Sequence, residues 1–264
     1  MLSYKNDDAR IQVLTALPEW AAQHRLEYRR VFGRFLPRLN EDRVAPVRLA
    51  GAATFPTETV VEEAGMRFGL DFAAGYSAGL FIDQRANRAF LRRAGVRRLL
   101  NTFAYTCSFS VAAALGGAVT TSIDLSKKSI ERGRANFALN GLDATAHHFY
   151  ANDVLEVLPR LARRGELFDA IILDPPTFSR GNKGRKWQVE SDLEGLLLSA
   201  LELAAPQARV LISTNCARLD RRALEAISRH CLKATRRAAT FHQEPALPDI
   251  PPEFAAQTLW LLLR

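Results

Sequence analysis

The sequence predicts an α/β fold: a seven-stranded sheet, mostly parallel with an antiparallel last strand, behind a small N-terminal extension of helices and a β-hairpin. Three observations carry that prediction. From about residue 85 onward, short apolar runs alternate with segments of helical periodicity, the pattern of a doubly wound parallel sheet. The last two apolar runs are separated only by the Pro-rich connector Pro245 to Pro252, so the final strand should return antiparallel. The run Phe168 to Leu173 stops at Asp174-Pro175-Pro176-Thr177-Phe178. Two prolines fix the backbone and remove two N–H donors. That makes a stiff lip at the sheet edge where open α/β folds bind ligands.

Taken in order, residues 1–55 read as helical, with breaks at Pro18, Pro37 and Pro46. Leu14, Leu17, Trp20 and Ala21 recur at helical spacing and should pack inward. Arg25, Arg29, Arg30, Arg34 and Arg38 follow, either as a solvated face or as a basic stripe for phosphates. Residues 58–72 alternate like strands around a turn at Gly65, and Gly75 and Gly79 interrupt the chain next. This places an extension at 1–75 and the main domain at 76–264. In that domain the helices fall at 85–94, 108–115, 126–139, 153–164, 190–204 and 219–231. The strands fall at 97–103, 119–124, 145–150, 168–173, 209–214, 235–242 and 257–263.

The 264 residues carry 36 Lys+Arg against 28 Asp+Glu, a net charge of +8. That balance suits a polyanionic partner such as nucleic acid, and equally an Arg-rich surface of no special purpose. Cys107, Cys216 and Cys231 form no C-x-x-C pair, which fits a reducing cytoplasm. His24, His147, His148, His230 and His242 show no metal-binding spacing, so no metal is expected. The first residues lack the apolar core of a signal peptide, and no apolar run reaches the roughly 18 residues of a membrane span.

The chemistry sits at the strand ends. The loop Asn101 to Phe109 contains no G-x-G-x-x-G, which argues against a pyrophosphate dinucleotide. Asp124 ends the second strand where α/β nucleotide folds bind ribose hydroxyls; alternatively it caps the next helix. Asp153 follows the third strand and can accept from an adenine amino group, with Leu125 and Val154 sandwiching the ring; alternatively it is an N-cap. S-adenosylmethionine (SAM) has no phosphates and needs no phosphate cradle, and the loop backbone and the following helix N-terminus can receive its carboxylate. Asp174 would orient a nucleophilic nitrogen or take its proton, Pro175 and Pro176 would hold a flipped base, and Phe178 would stack on it or belong to the core. The cationic stretch 179–187 reads as a phosphate clamp or as a solvated loop.

Together these residues resemble the class I, Rossmann-like SAM-dependent methyltransferases that modify bacterial 23S ribosomal RNA at cytosine carbon 5 or guanine N7. The pieces are Gly79 to Arg88, Asn101 to Phe109, Leu115 to Ala118, Asp124 to Ser126, Asn136 to Leu142 and Asp174 to Ser179, from about residue 66 to the C-terminus. The resemblance implies that Asp83 and Arg85 lie beside the cofactor and that Phe103, Tyr105, Asp124, Asp153 and Asp174 contact it. The chain departs from the family in three ways. Cys107 stands where the family carries Gly, and a side chain there would crowd the cofactor. Ala205-Pro206-Gln207-Ala208 replaces a Pro-Gly-Gly turn, a change expected to stay within a loop. Neither of the family's common RNA-binding appendages is visible, with the first 60 residues the candidate replacement.

Carbon-5 chemistry needs a cysteine nucleophile after the fifth strand, because an unactivated carbon must be attacked covalently first. Here Asn215 occupies the position of the family's cysteine and Cys216 is one residue late; the Asn resembles the branches that methylate a ring nitrogen of guanine, so the resemblance favours a ring nitrogen as acceptor. Cys216 reads as a nucleophile or as a small buried thiol. The leading expectation is methyl transfer from SAM to a base of RNA, by resemblance ribosomal RNA. The alternatives are a small-molecule or protein methyltransferase and a non-catalytic RNA-binding relic. No membrane partner is expected, and the sequence leaves the oligomeric state open.

Overall fold

A computed structural model describes residues 2–4, 7–35, 45–75, 77–180 and 186–264. The chain divides into two compact units, residues 1–61 with 68–80, and residues 62–67 with 81–264.

In the first unit, α1 (Asp7–Gln23) is flanked by the strands β1 (Leu2–Tyr4), β2 (Val31–Phe35) and β3 (Val47–Ala50). β1 pairs parallel to β2, and β2 antiparallel to β3. The all-helical expectation for 1–55 therefore holds only for α1. The buried Val31 and Phe32 are β-branched and aromatic, residues that favour a pleated, half-buried surface. Pro18 lies inside α1 rather than ending it, Pro46 introduces a strand, and Pro37 and Arg38 lie outside the described residues. Ala21 is buried, but Trp20 is 49% exposed and stacks on His24 at 4.6 Å. Neighbouring residues are about 100° apart around a helix, so turning Ala21 inward turns Trp20 out.

The predicted hairpin forms as β4 (Glu58–Glu63) and β5 (Met66–Asp71), and the division between the units passes through it. Ala64 and Gly65 both have left-handed φ, 49° and 75°, the backbone that a two-residue type I′ loop demands.

The second unit is built on a seven-stranded sheet. Its strands are β6 (Arg98–Thr102), β7 (Val119–Asp124), β8 (His148–Ala151), β9 (Phe168–Leu173), β12 (Ala204–Thr214), β13 (Ala239–His242) and β14 (Gln257–Leu263). The order is β13-β14-β12-β9-β6-β7-β8. β14 runs antiparallel to both neighbours, and the other ladders are parallel. The helices are α2 (Arg85–Arg93), α3 (Ser108–Leu115), α4 (Lys127–Leu139), α5 (Val154–Arg163), α6 (Val189–Glu202) and α7 (Arg221–Ala234). Leu99, Leu100, Ile171, Ile172, Leu211 and Ile212 are fully buried, which is why the central strands read as continuous apolar runs.

Three boundaries shift. Residues 144–146 form a short 3-10 turn capped by Asp143, so β8 starts later than periodicity suggested. Residues 235–238 lie outside β13, and Arg236 has φ 54°. Residues 205–208 belong to β12 rather than to a loop: the register shifts there, and Gln207 takes φ 60°. The left-handed backbone is kept without the glycine that would adopt it freely.

Candidate active site

The parallel strands all end at one edge. The chain runs from β6 outward through β7 and β8, then returns to β9 on the other side of β6. The switch point lies between β6 and β9, where open α/β sheets hold their ligands. The loop 103–107 leaves β6 on one side of that point, and Asp174 ends β9 on the other.

The loop is strained by design of its sequence. Phe103, Tyr105 and Cys107 all have left-handed φ, 52°, 47° and 60°. None is glycine, and each such residue stores on the order of 1–3 kcal/mol that its surroundings must offset. Asp124 supplies part of that restraint. Its Oδ2 accepts from the Tyr105 N–H at 2.8 Å and its Oδ1 from the Ser126 N–H at 2.8 Å. Burial pushes this carboxyl above the usual carboxylate range, and the two N–H donors oppose the shift. Each oxygen keeps a lone pair for a further donor. Helix capping at α4 falls instead to Ser126, which accepts from the Ser129 N–H. Asn136 on α4 adds a bond from its amide to the Thr106 carbonyl at 2.9 Å.

Asp153 is the N-cap of α5, accepting from the Leu155 N–H at 2.9 Å through one oxygen. Capping and ligand binding are compatible, because the second oxygen remains. The expected sandwich is lopsided. Val154 is 2% exposed within the core, whereas Leu125 is 45% exposed.

Asp174 sits on the far side. Burial, foremost, and the nearby Asp83 push its carboxyl up to about 6, against a hydrogen bond from Ser213 and the charge of Arg88. Behind it runs a buried polar chain. The Trp260 indole N–H donates to Asn87 (2.8 Å), Asn87 to Gln84 (2.9 Å) and Gln84 to the Ser213 hydroxyl (2.9 Å). Arg88, fully buried, forks onto both oxygens of Glu63 at 2.7 and 2.6 Å and also donates to the Phe81 carbonyl. Asp83 accepts from the Ala256 N–H at 3.1 Å. Arg85 is held by both oxygens of Asp249 in the connector before β14.

The Asp-Pro-Pro lip leads into a hairpin of β10 (Phe178–Arg180) and β11 (Lys186–Gln188), where a loop was expected. Its residues 181–185, the centre of the cationic stretch, lie outside the described residues. Trp187 is not a free ring at the end of that stretch. It is buried, donates its indole N–H to the Pro176 carbonyl at 2.8 Å and lies 5.9 Å from the Phe103 ring. Phe178 is 52% exposed and so is not core. At the end of β12, Asn215 is exposed while Cys216 is buried, its thiol donating to Glu190 at 3.2 Å. Cys216 thus takes the buried-thiol reading, because a nucleophile must face the substrate.

Residues 7–264 match the protein family described as S-adenosylmethionine-dependent methyltransferase. The chain belongs to that family. Among its relatives is YwbD of Bacillus subtilis, described as a candidate ribosomal RNA large subunit methyltransferase, 35% identical over 193 residues, or 72% of this chain and 48% of the relative. The ribosomal RNA large subunit methyltransferase I of Tolumonas auensis is 37% identical over 167 residues, covering 62% of this chain and 42% of that one. The chain thus spans half or less of the length of these curated relatives. Among solved structures, SMU.776, described as a candidate methyltransferase complexed with SAH, superposes with a TM-score of 0.83 at 26% identity, over 99% of this chain and 68% of that one. The seven-stranded sheet with its one antiparallel strand is the class I methyltransferase architecture.

The sequence leads to the expectation that a side chain at Cys107 would crowd a cofactor. The thiol does not face the open edge. It is fully buried, and a Cβ added at Gly133 of α4 would lie 3.0 Å from the Cys107 Cβ, so Gly133 leaves the room the side chain occupies. Burial pushes the thiol up to about 12, which makes it inert. Crowding of a ligand by this side chain is therefore not what the geometry shows. Ser213, Gln84 and Asn136 escaped the sequence reading because each acts through a partner distant in the chain. Only the recurrence of Gln84 and Asn136 inside the family-like segments hinted at them.

Proposed function

We propose that this chain transfers the methyl group of SAM to a ring nitrogen of a base in RNA, with ribosomal RNA the substrate class that its relatives' names suggest. The donor set fits the cofactor: two carboxylates with spare lone pairs, Asp124 at the end of β7 and Asp153 two residues past β8, lie beside a restrained loop that opens a helix. Asp124 would take the ribose hydroxyls, Asp153 the adenine amino group and Leu125 one face of the ring. The α3 N-terminus, with Phe103 and Tyr105 before it, would receive the amino-acid end. Bound SAM supplies an electrophilic methyl group on a sulfonium.

The chain's own residues then mainly align the acceptor. Asp174 would accept a hydrogen bond from the base edge and take up a proton where the attacked nitrogen carries one. Its position near 6 leaves it ionised at neutral pH. Ser213 and Gln84 would orient it, Pro175 and Pro176 would frame the base, and Phe178 would stack on it. The observation that carries the ring-nitrogen choice is the exposed Asn215 with Cys216 turned into the core. The relic reading rested on Cys107, and a buried thiol no longer supports it.

The test is calorimetry with SAM and SAH, followed by labelled methyl transfer to unmodified ribosomal RNA. Micromolar binding and label in an RNA base nitrogen support the proposal. Label on carbon 5, or on protein only, overturns the acceptor assignment, and no cofactor binding by folded protein overturns the whole.

A further inference from the structure

Exposed aromatic rings in the second unit are few, and their placement is uneven. Among its described Phe, Tyr and Trp side chains they are Phe81 (43%), Phe178 (52%) and Phe254 (71%). Single exposed apolar residues are ordinary on a protein surface. Each lies within a few residues of Asp174 or of the Asp83–Ala256 contact beside it. Phe178 is four residues beyond Asp174 on the Asp-Pro-Pro lip. Phe81 is two residues before Asp83, whose charge reaches Asp174, and its ring lies 5.5 Å from that of Tyr105. Phe254 is two residues before Ala256, whose N–H donates to Asp83. Two residues reach at most about 7 Å. Ile82, 57% exposed, adds aliphatic surface to the same rim. The exposed large apolar residues where strands begin, Val119 and Leu167, are aliphatic.

The connector that carries Phe254 is held in place. It spans from the end of β13 to the start of β14, both at the carboxyl edge. Pro245, Pro248, Pro251 and Pro252 limit its backbone, Asp249 grips Arg85, and a 3-10 turn at Pro252–Phe254 closes with the Phe254 N–H donating to the Pro251 carbonyl. A large ring kept in water on a restrained strap is preorganised for a flat partner.

We infer that this rim binds an unpaired stretch of RNA, with bases flanking the methylated one stacked on Phe254 and Phe81. This rests on the RNA methyltransferase reading and extends it: the substrate would be recognised as single strand, by its π-faces, before any base is read. Bases stack on aromatic side chains only when they are splayed from a helix. The net charge of +8 favours a polyanion over an apolar protein surface.

The test measures binding of a short unpaired oligoribonucleotide, and of the same strand in a duplex, by fluorescence anisotropy with SAH present. Wild type should prefer the single strand. Phe254→Ala should weaken single-strand binding about tenfold, as loss of one base–aromatic stack does. SAH affinity by calorimetry should not change, and Phe254→Trp should bind like wild type. Equal affinity for the duplex overturns the inference, as does wild-type binding by Phe254→Leu, which would make the rim merely apolar. Stable capture of a protein substrate with no RNA binding also overturns it. Loss of SAH binding in Phe254→Ala would place the ring in the cofactor site and overturn it too. If wild type fails to bind SAH at all, the underlying methyltransferase reading falls separately.

Discussion

The two halves of the sheet's carboxyl edge are built on different principles. On the β7 and β8 side, side chains are tied to backbone. Asp124 takes two N–H groups, Asp153 caps α5, Asn136 holds Thr106, and three left-handed residues are locked between them. On the β9 and β12 side, the acid is influenced by side chains, Ser213 among them, and two nearby rings, Phe81 and Phe178, stand in water. The first half has the features of a mould for one small ligand of fixed shape. The second has those of a surface for a partner that brings its own shape, with only Asp174 fixed from behind. Predictions that separate the halves therefore split cofactor affinity from turnover.

Asp174→Asn should break the comparison most sharply. We expect kcat to fall about 10²–10³-fold, the size of a lost acid–base or orienting group, with SAH affinity nearly unchanged. A loss of SAH affinity as large as the loss of kcat would place Asp174 in the cofactor half. The wild-type rate should rise with pH through about 6, as this carboxyl ionises. The stability sign runs the other way. A carboxyl raised in the folded state favours folding below its ordinary value near 4, and that contribution is lost as pH rises through about 6. Asp174→Asn should then be more stable than wild type at pH 7.5, by on the order of 2–3 kcal/mol, read from thermal melts.

Asp124→Ala should do the opposite: weaken SAM and SAH binding about 10–100-fold through one or two lost buried hydrogen bonds. Part of the loss would come from releasing Tyr105. Unchanged affinity would remove Asp124 from the site. Ser213→Ala is subtler. Its hydroxyl lowers the Asp174 pKa, so removing it should move the pH–rate midpoint upward from about 6 while SAH affinity holds. A midpoint that stays put would mean that Gln84 and Ser213 support packing only.

What the sequence showed of this edge followed the same divide. Strand-end acids are local signals, because an apolar run followed by Asp marks both a burial pattern and a place. Asp124, Asp153 and Asp174 were legible for that reason, as were the alternating strands and helices of the second unit. The polar chain from Trp260 to Ser213 was not, since its bonded partners lie up to 173 residues apart and meet only after the sheet forms. The place of Trp187 was equally hidden, because its indole binds the Pro176 carbonyl eleven residues away, a contact no local pattern announces. In the first unit Val31 to Phe35 carries too short an alternation to compete with the helical spacing before it.

The smallest effect predicted tests how the cofactor half tolerates its unusual loop. Cys107→Gly would relieve a non-glycine residue at φ 60°, worth on the order of 1 kcal/mol. It would also empty the space beside Gly133 that the thiol fills, and a buried gap of that size costs about as much. The terms oppose each other, so stability should change by less than about 1 kcal/mol, and SAM affinity by less than about threefold, because the side chain never reached the ligand side. A tenfold gain in SAM affinity would show that the loop, rather than the core, absorbs the strain of Cys107. The cofactor half would then be less rigid than its hydrogen bonds imply, and its contrast with the acceptor half would narrow.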